Sequence, residues 1–264
     1  MNIFLREVRS NFKSLIIWSV IIILLVIIAM AKFSAYADNP EMLAILDAMP
    51  QALLDALNMR TFNLTTLSGF FGVMFAYYSL MGAIAAALWG SGVISNEERN
   101  KTIEFALSLP VTRTRMVTAK ALAALVNCIA FVLITWGVSI AAAKTYTPDA
   151  EFYRFLALEM GAMFLIELVF MAIGLLVACA MKRPARTGVI VIAIILITYY
   201  LAIISGLDDR LDFLKYFTPF KYFDAGALFR QGGFDATYLA LSALIIAASL
   251  AGAYYAYNRR DMYI

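Results

Sequence analysis

The segment Asn96–Lys120 reads NEERNKTIEFALSLPVTRTRMVTAK. Eight of its residues are charged, and it lies between two long runs without charge. Ser95–Glu98 has the form of a capping box, which predicts the start of a helix. Pro110 predicts the end of that helix, because proline cannot continue it. We therefore expect a polar helix at about 97–109, held between two apolar segments.

The composition indicates an integral membrane protein. Of the 264 residues, 63% are hydrophobic and 15% are charged, and the mean hydropathy is +0.83. Soluble proteins are about 45–50% apolar and about 25% charged. The chain has no His, and its two Cys residues lie within apolar runs. The commonest general base and metal ligand is therefore missing, and we predict neither a catalytic residue nor a metal site.

Runs of apolar residues predict an all-α integral membrane protein with six transmembrane helices in one domain, 1–264. About 20 residues suffice to span the hydrocarbon of a bilayer. The predicted spans are approximately 14–36, 68–95, 114–144, 153–181, 187–207 and 236–257. The first run is longer than a signal-peptide core, so we interpret it as a retained span. Small residues in the second span, such as Gly82, Ala86 and Gly90, predict close helix packing.

Two segments flanking the spans have amphipathic character. Within 1–13, apolar residues recur at helical spacing and predict an interfacial elbow helix; a positively charged flank is the alternative. Residues 38–60 predict short amphipathic helices on the outer surface.

The loop before the last span, residues 208–235, is rich in aromatic side chains. It predicts extracellular interfacial or re-entrant helices that close the outer mouth, or else a simple aromatic belt at the membrane interface. The candidate gate residues are Pro219, Phe220, Tyr222 and Phe223.

The distribution of Lys and Arg predicts the orientation. If both termini are cytoplasmic, the inner segments contain 13 of the 21 basic residues and only five of the 18 acidic residues. An excess of Lys and Arg marks the cytoplasmic side. We therefore expect the helix at 97–109 in the cytoplasm and the loop at 208–235 outside.

Two acidic residues lie within the fourth predicted span. Glu159 and Glu167 are eight residues apart, and this spacing places them on roughly one helical face. An acid within the membrane requires a partner, a cavity or a proton. The two residues are candidates for the translocation pathway; the alternative is a hydrogen bond to a neighbouring helix.

Three stretches resemble the ABC-2 type permeases of ATP-binding cassette transporters. Residues 97–113, EERNKTIEFALSLPVTR, are similar to the family's first cytoplasmic loop, although Asn100-Lys101 stands where a Gly is often found. Residues 218–224, TPFKYFD, resemble a segment between the last two spans, and residues 258–261, NRRD, resemble the family's short tail. The chain has no G-x-x-x-x-G-K-[ST] phosphate loop and is therefore not expected to be an ATPase itself.

The resemblance implies the partners and the mechanism. Two permeases would pair as a homodimer or heterodimer, and two separate ABC ATPase subunits would bind ATP and Mg²⁺ beneath them. Residues 97–109 would form the coupling helix and residues 1–13 the elbow helix. The implied ATPase contacts are Glu97, Glu98, Arg99, Lys101, Thr102, Glu104 and Phe105. The resemblance also implies a multi-pass protein of a prokaryotic plasma membrane and no interaction with nucleic acid.

The substrate and two other functions stay open at this point. An exporter of a peptide antibiotic, a lipid or another amphiphile fits the resemblance. A proton- or ion-coupled carrier that acts alone through Glu167 is an alternative. A membrane scaffold or sensor that transports nothing is a third.

Overall fold

The computed structural model describes residues 3–37, 50, 62–99 and 111–260, and the structure of these residues is helical without a strand. Five long helices come first: Ile3–Tyr36 (α1), Leu67–Arg99 (α2), Arg113–Ala143 (α3), Ala150–Ala180 (α4) and Thr187–Ile204 (α5). A 3-10 segment, Asp209–Phe217, and two short helices, Pro219–Tyr222 (α6) and Ala225–Gln231 (α7), precede the last long helix, Ala236–Arg259 (α8). Within the described ranges, six helices are long and apolar enough to cross a membrane. The predicted six-span, all-α architecture is confirmed.

The first helix is continuous. α1 has 34 residues and includes both the predicted elbow and the predicted first span. Residues 3–36 contain neither Pro nor Gly, so the sequence has no residue that would break the helix between the two parts. The prediction of a separate elbow helix is therefore not confirmed.

The core of the bundle is the contact between α2 and α4, which pack on each other more extensively than any other two described elements. Glycines allow the two backbones to approach closely. A Cβ atom added at Gly90 would lie 2.2 Å from the carbonyl oxygen of Met171, and one at Gly174 would lie 2.4 Å from that of Ala87. The predicted role of small residues in the second span is confirmed.

One end of the bundle contains the start of α1, the end of α2, the start of α3 and the ends of α4 and α8. Hydrogen bonds join these helix ends. For example, Lys120 of α3 donates to the carbonyl of Val93 in α2, and Arg260, which follows α8, donates to the carbonyl of Ala178 in α4. We call this the terminal end, because the described chain begins and ends there. The end that contains α6 and α7 is the opposite end.

α2 extends further than the sequence predicts. It continues through Ser95–Arg99, and the Ser95 hydroxyl donates to the carbonyl of Ser91 at 2.9 Å, as a residue inside a helix does. The capping-box prediction is wrong, because these residues belong to the last turns of α2. Residues 100–109 of the predicted coupling helix lie outside the described residues, as do 38–49 and 51–60 of the predicted outer helices.

Candidate functional site

Four charged side chains form a cluster where α1, α2 and α3 meet at the terminal end. Lys120 lies in the centre, with its Nζ 3.1 Å from Oε1 of Glu7 and 3.0 Å from Oε2 of Glu97. Arg6 pairs with both acids as well. We call Arg6, Glu7, Glu97 and Lys120 the terminal-end charge network.

Burial makes this network unusual. The Lys120 side chain is 1% exposed and that of Glu7 is 7% exposed. A buried charge is tolerated when an opposite charge and hydrogen bonds compensate for the lost water. The network contains two cations and two anions, and Lys120 also donates to the carbonyl of Val93 at 2.5 Å. The cluster is thus neutral as a whole and ties the last turn of α2 to two other helices.

A second ion pair fixes the next residue of α2. Glu98 accepts from Arg260, which follows α8, with 2.6 Å between Oε2 of Glu98 and the guanidinium. Arg260 also donates to the carbonyl of Ala178 at 3.2 Å. Two consecutive residues of α2, Glu97 and Glu98, are therefore held from different sides.

Arg113 stabilises the end of α8 on which this pair depends. Its guanidinium donates to the carbonyls of Tyr257, Asn258 and Arg260 at 3.3, 3.2 and 2.8 Å. The last carbonyls of a helix lack partners within the helix and form the negative end of its dipole, so a cation is favoured there. The start of α3, the end of α8 and the end of α2 consequently form one connected unit.

These contacts change the interpretation of the predicted ATPase-contact residues. Glu97 and Glu98 have partners within the bundle, and the exposed Arg99 donates to the side chain of Asn96 at 3.1 Å. Lys101, Thr102, Glu104 and Phe105 lie outside the described residues. Contact of any of the seven with an ATPase stays a prediction.

Sequence reasoning missed most of the network. Arg6 and Glu7 were predicted as parts of an elbow helix, and Lys120, Arg113 and Arg260 entered only the prediction of the orientation and the family resemblance. A usable signal was present, because alternating span directions bring the start of the first and third spans to the end of the second. Charges at those ends are then candidates for pairing.

The two acids of the fourth span are fully buried in α4. The carboxylate oxygens of Glu159 and Glu167 have no hydrogen-bond partner in the part of the chain that is described. Glu159 lies near the buried hydroxyl of Tyr78 in α2, and Glu167 lies beside the thiol of Cys128 in α3. An added Cβ at Gly82 would lie 2.8 Å from Oε1 of Glu167. Within this chain both acids face neighbouring helices.

The predicted gate residues pack into the opposite end of the bundle. The ring of Phe220 contacts those of Phe170 and Tyr199, with centroids 5.2 and 5.3 Å apart. The Tyr222 ring stacks on that of Tyr238 at 5.2 Å. Burial raises the pKa of Tyr222, so its hydroxyl stays protonated and donates to the carbonyl of Tyr216.

The other two gate candidates are buried too, Pro219 in α6 and Phe223 beside the ring of Phe234 at 5.9 Å. By contrast, three other rings of this loop are at least half exposed, as expected of an aromatic belt: Phe213 at 56%, Tyr216 at 50% and Phe217 at 65%. The loop therefore combines packed rings with exposed ones, and its gating role stays a prediction.

The described residues offer no site for a metal ion made of three or more His, Cys, Asp or Glu side chains. The chemistry that they do offer is ion pairing and helix docking at the terminal end. This arrangement can transmit a displacement from one helix end to others.

Comparison with known protein families gives a match over nearly the whole chain. The family described as "ABC-2 family transporter protein" matches residues 1–262. A comparison with curated proteins finds no significant match.

Proposed function

Because the chain belongs to the ABC-2 family of transporter proteins, we propose that it acts as the membrane half of an ATP-driven exporter. It is a membrane permease and contributes the spans, not the ATPase. Two permeases, identical or different, form the translocation unit, and two separate ABC ATPase subunits bind ATP and Mg²⁺. The exported substrate is an amphiphile such as a peptide antibiotic or a lipid.

The charges of the two ends support a proposed orientation. The terminal end contains most of the Lys and Arg residues of the chain, and such an excess marks the cytoplasmic side. In the proposed complex the terminal end therefore faces the cytoplasm and the ATPases, in a prokaryotic plasma membrane. Residues 100–110, which follow α2 directly, form the segment that an ATPase contacts.

The observation that supports this proposal most strongly is the anchoring of the last turn of α2. The buried Lys120 and the Glu98–Arg260 pair join this turn to α1, α3 and α8 immediately before residue 100. A push on residues 100–110 is therefore carried by several helices together instead of bending the end of one helix.

The length and packing of α2 extend this effect across the membrane. α2 has 33 residues and is about 50 Å long at 1.5 Å per residue. Its close contact with α4, through Gly90 and Gly174, makes the two helices one stiff body. Movement at the terminal end would thus reach the aromatic segment at the opposite end, where Phe220 packs on α4 and α5.

Co-expression with ABC ATPase subunits from the same source, followed by copurification, tests the proposal. A variant with Lys101→Ala, Glu104→Ala and Phe105→Ala should lose the ATPase and the stimulation of ATP hydrolysis, while Glu97 and Glu98 keep their internal partners. Arg210→Gln, an exposed change at the opposite end, is the control. Full ATPase association and coupling in the triple variant would contradict the assignment of residues 100–110.

The buried Glu167 favours a second candidate, a carrier that acts alone. Its carboxylate has no hydrogen-bond partner among the described residues, as expected of a proton site. Reconstituted without an ATPase, such a carrier would transport under an ion gradient, and Glu167→Gln would abolish this transport. Strict dependence on ATP would exclude it.

A further inference from the structure

A polar cavity of about 470 Å³ opens at the terminal end between α1, α2 and the turn that leads into α5. Its size lies in the range of small-molecule sites, about 300–1,000 Å³. The lining residues that carry the argument are Ser10, Asn11, Ser14, Trp89, Arg99 and Ala185. The terminal-end charge network contributes no residue to this lining.

The cavity has the charge of an anion-binding site. Arg99 is a lining residue, and no Asp or Glu is among the described residues that line the cavity. Further cations occur next to lining residues in the sequence: Arg9, Lys13, Arg183 and Arg186. All four are exposed, and none forms an ion pair within the described ranges. The nearby acids Glu7, Glu97 and Glu98 are already paired with other cations.

The cavity also contains a polar side chain without a partner. Asn11 is 8% exposed and lines the cavity, and its Nδ2 has no hydrogen-bond partner among the described residues. A buried amide donor without a partner costs about 1–3 kcal/mol. By contrast, the Trp89 indole in the same wall donates to Ser14 at 3.0 Å. A bound acceptor would satisfy Asn11.

The start of α5 forms part of the same wall, and Gly188 and Val189 line the cavity. The 3-10 turn Pro184–Arg186 leads directly into α5, and the N–H of Thr187 already donates to the carbonyl of Pro184. The donors that carry the argument are therefore the guanidinium of Arg99 and the amide of Asn11.

The surface beside the cavity is apolar and exposed. Ile17 of α1 is 59% exposed and Val189 of α5 is 71% exposed, so both helices border the cavity with faces that suit hydrocarbon. An anionic group that arrives with acyl chains can thus place its head in the cavity and its tails along these helices. A soluble anion would leave the apolar faces uncovered.

We propose that this cavity binds the phosphate headgroup of an anionic phospholipid from the leaflet at the terminal end. Basic pockets between transmembrane helices are suited to such headgroups. Arg99 and Asn11 contact the phosphate, and the lipid lies against the last turns of α2, next to residue 100. The bound lipid would stabilise the position from which the proposed ATPase-contact segment begins.

Native mass spectrometry of the purified chain, titrated with phosphatidylglycerol or with phosphatidylcholine of the same acyl chains, tests the proposal. We expect phosphatidylglycerol to bind more tightly. Arg99→Gln should weaken its binding about fivefold, the effect expected for one basic residue near an anionic headgroup. Ala185→Trp, which places a large ring at an exposed position of the lining, should weaken it without changing the charge.

Arg210→Gln is the matched control, because it removes one positive charge from an exposed position at the opposite end. It should change the affinity less than twofold. Equal binding of the two lipids, or equal loss in Arg99→Gln and Arg210→Gln, would overturn the proposal. Displacement of phosphatidylglycerol by millimolar glycerol 3-phosphate would overturn the lipid source in favour of a soluble phosphate. No ATPase is present in this assay, so its outcome leaves the proposed export function untouched.

Discussion

Replacing Lys120 with methionine removes the central cation of the terminal-end charge network and nearly preserves the volume of the side chain. Glu7 and Glu97 then share Arg6 as their cation within the network, although both carboxylates contact Lys120 at about 3 Å in the native protein. The carbonyl of Val93 also loses the donor at 2.5 Å. The change therefore leaves the network with two carboxylates and one cation, among largely buried side chains.

The expected loss of stability is large. Removing one partner of a buried ion pair costs about 3–5 kcal/mol, whereas replacing an exposed one costs about 0–1 kcal/mol. At about 2–4 °C per kcal/mol for a chain of this size, Lys120→Met should lower the unfolding temperature by about 6–20 °C. The assay is thermal unfolding in detergent, followed by the loss of the monodisperse peak in size-exclusion chromatography.

Lys144→Met provides the control, because Lys144 is an exposed lysine at the other end of α3 and the substitution is the same. A double variant, Lys120→Met with Glu97→Gln, should recover part of the loss, since it also removes the excess negative charge. Equal melting of the Lys120→Met and Lys144→Met proteins would refute the claim that the network stabilises the bundle.

Two further predictions concern packing. Gly90→Ala should destabilise the protein by about 1–3 kcal/mol, because the new Cβ would lie 2.2 Å from the carbonyl oxygen of Met171. The control is Gly137→Ala, whose Cβ would have no atom within 4 Å and which should be neutral or stabilising by up to about 1 kcal/mol. Equal melting temperatures for the two variants would contradict the close contact between α2 and α4. Phe220→Ala should lower the free energy of unfolding by about 3–5 kcal/mol, because it leaves a cavity between aromatic rings. Phe217→Ala, at a ring that is 65% exposed, should change the stability little. The same thermal assay measures both variants, and similar losses in the two would argue against a packed aromatic segment.

The number of spans could be predicted from the sequence because each predominantly apolar run is long enough to cross hydrocarbon. The fifth run, predicted at 187–207, lies over α5, Thr187–Ile204, and the sixth, predicted at 236–257, lies over α8, Ala236–Arg259. Within a bilayer the backbone must form its hydrogen bonds internally, so such a run has few alternatives to a helix. The small residues that allow α2 and α4 to touch were also visible in the sequence, because their spacing follows the helical period.

Helix ends and side-chain partners were harder to predict. Ser95–Glu98 resembles a capping box, yet α2 continues through it. We attribute this to the ion pairs of Glu97 with Arg6 and Lys120, and of Glu98 with Arg260. Local capping preferences amount to about 1 kcal/mol, and buried ion pairs that involve distant residues can outweigh them. The elbow helix was predicted from amphipathic spacing, but no residue interrupts α1 at that point.

The sequence by itself determined the membrane location, the six helices and the family, since these depend on composition and on motifs that are local in the chain. Only the tertiary structure decided which partners the charged residues at the two ends of the segment Asn96–Lys120 have. Glu97 near one end forms an ion pair with Lys120 at the other end, at 3.0 Å, and Lys120 also pairs with Glu7. The physical reason is that an ion pair depends on distance in space, and only the packing of α1, α2 and α3 brings charges so far apart in sequence within reach of one another.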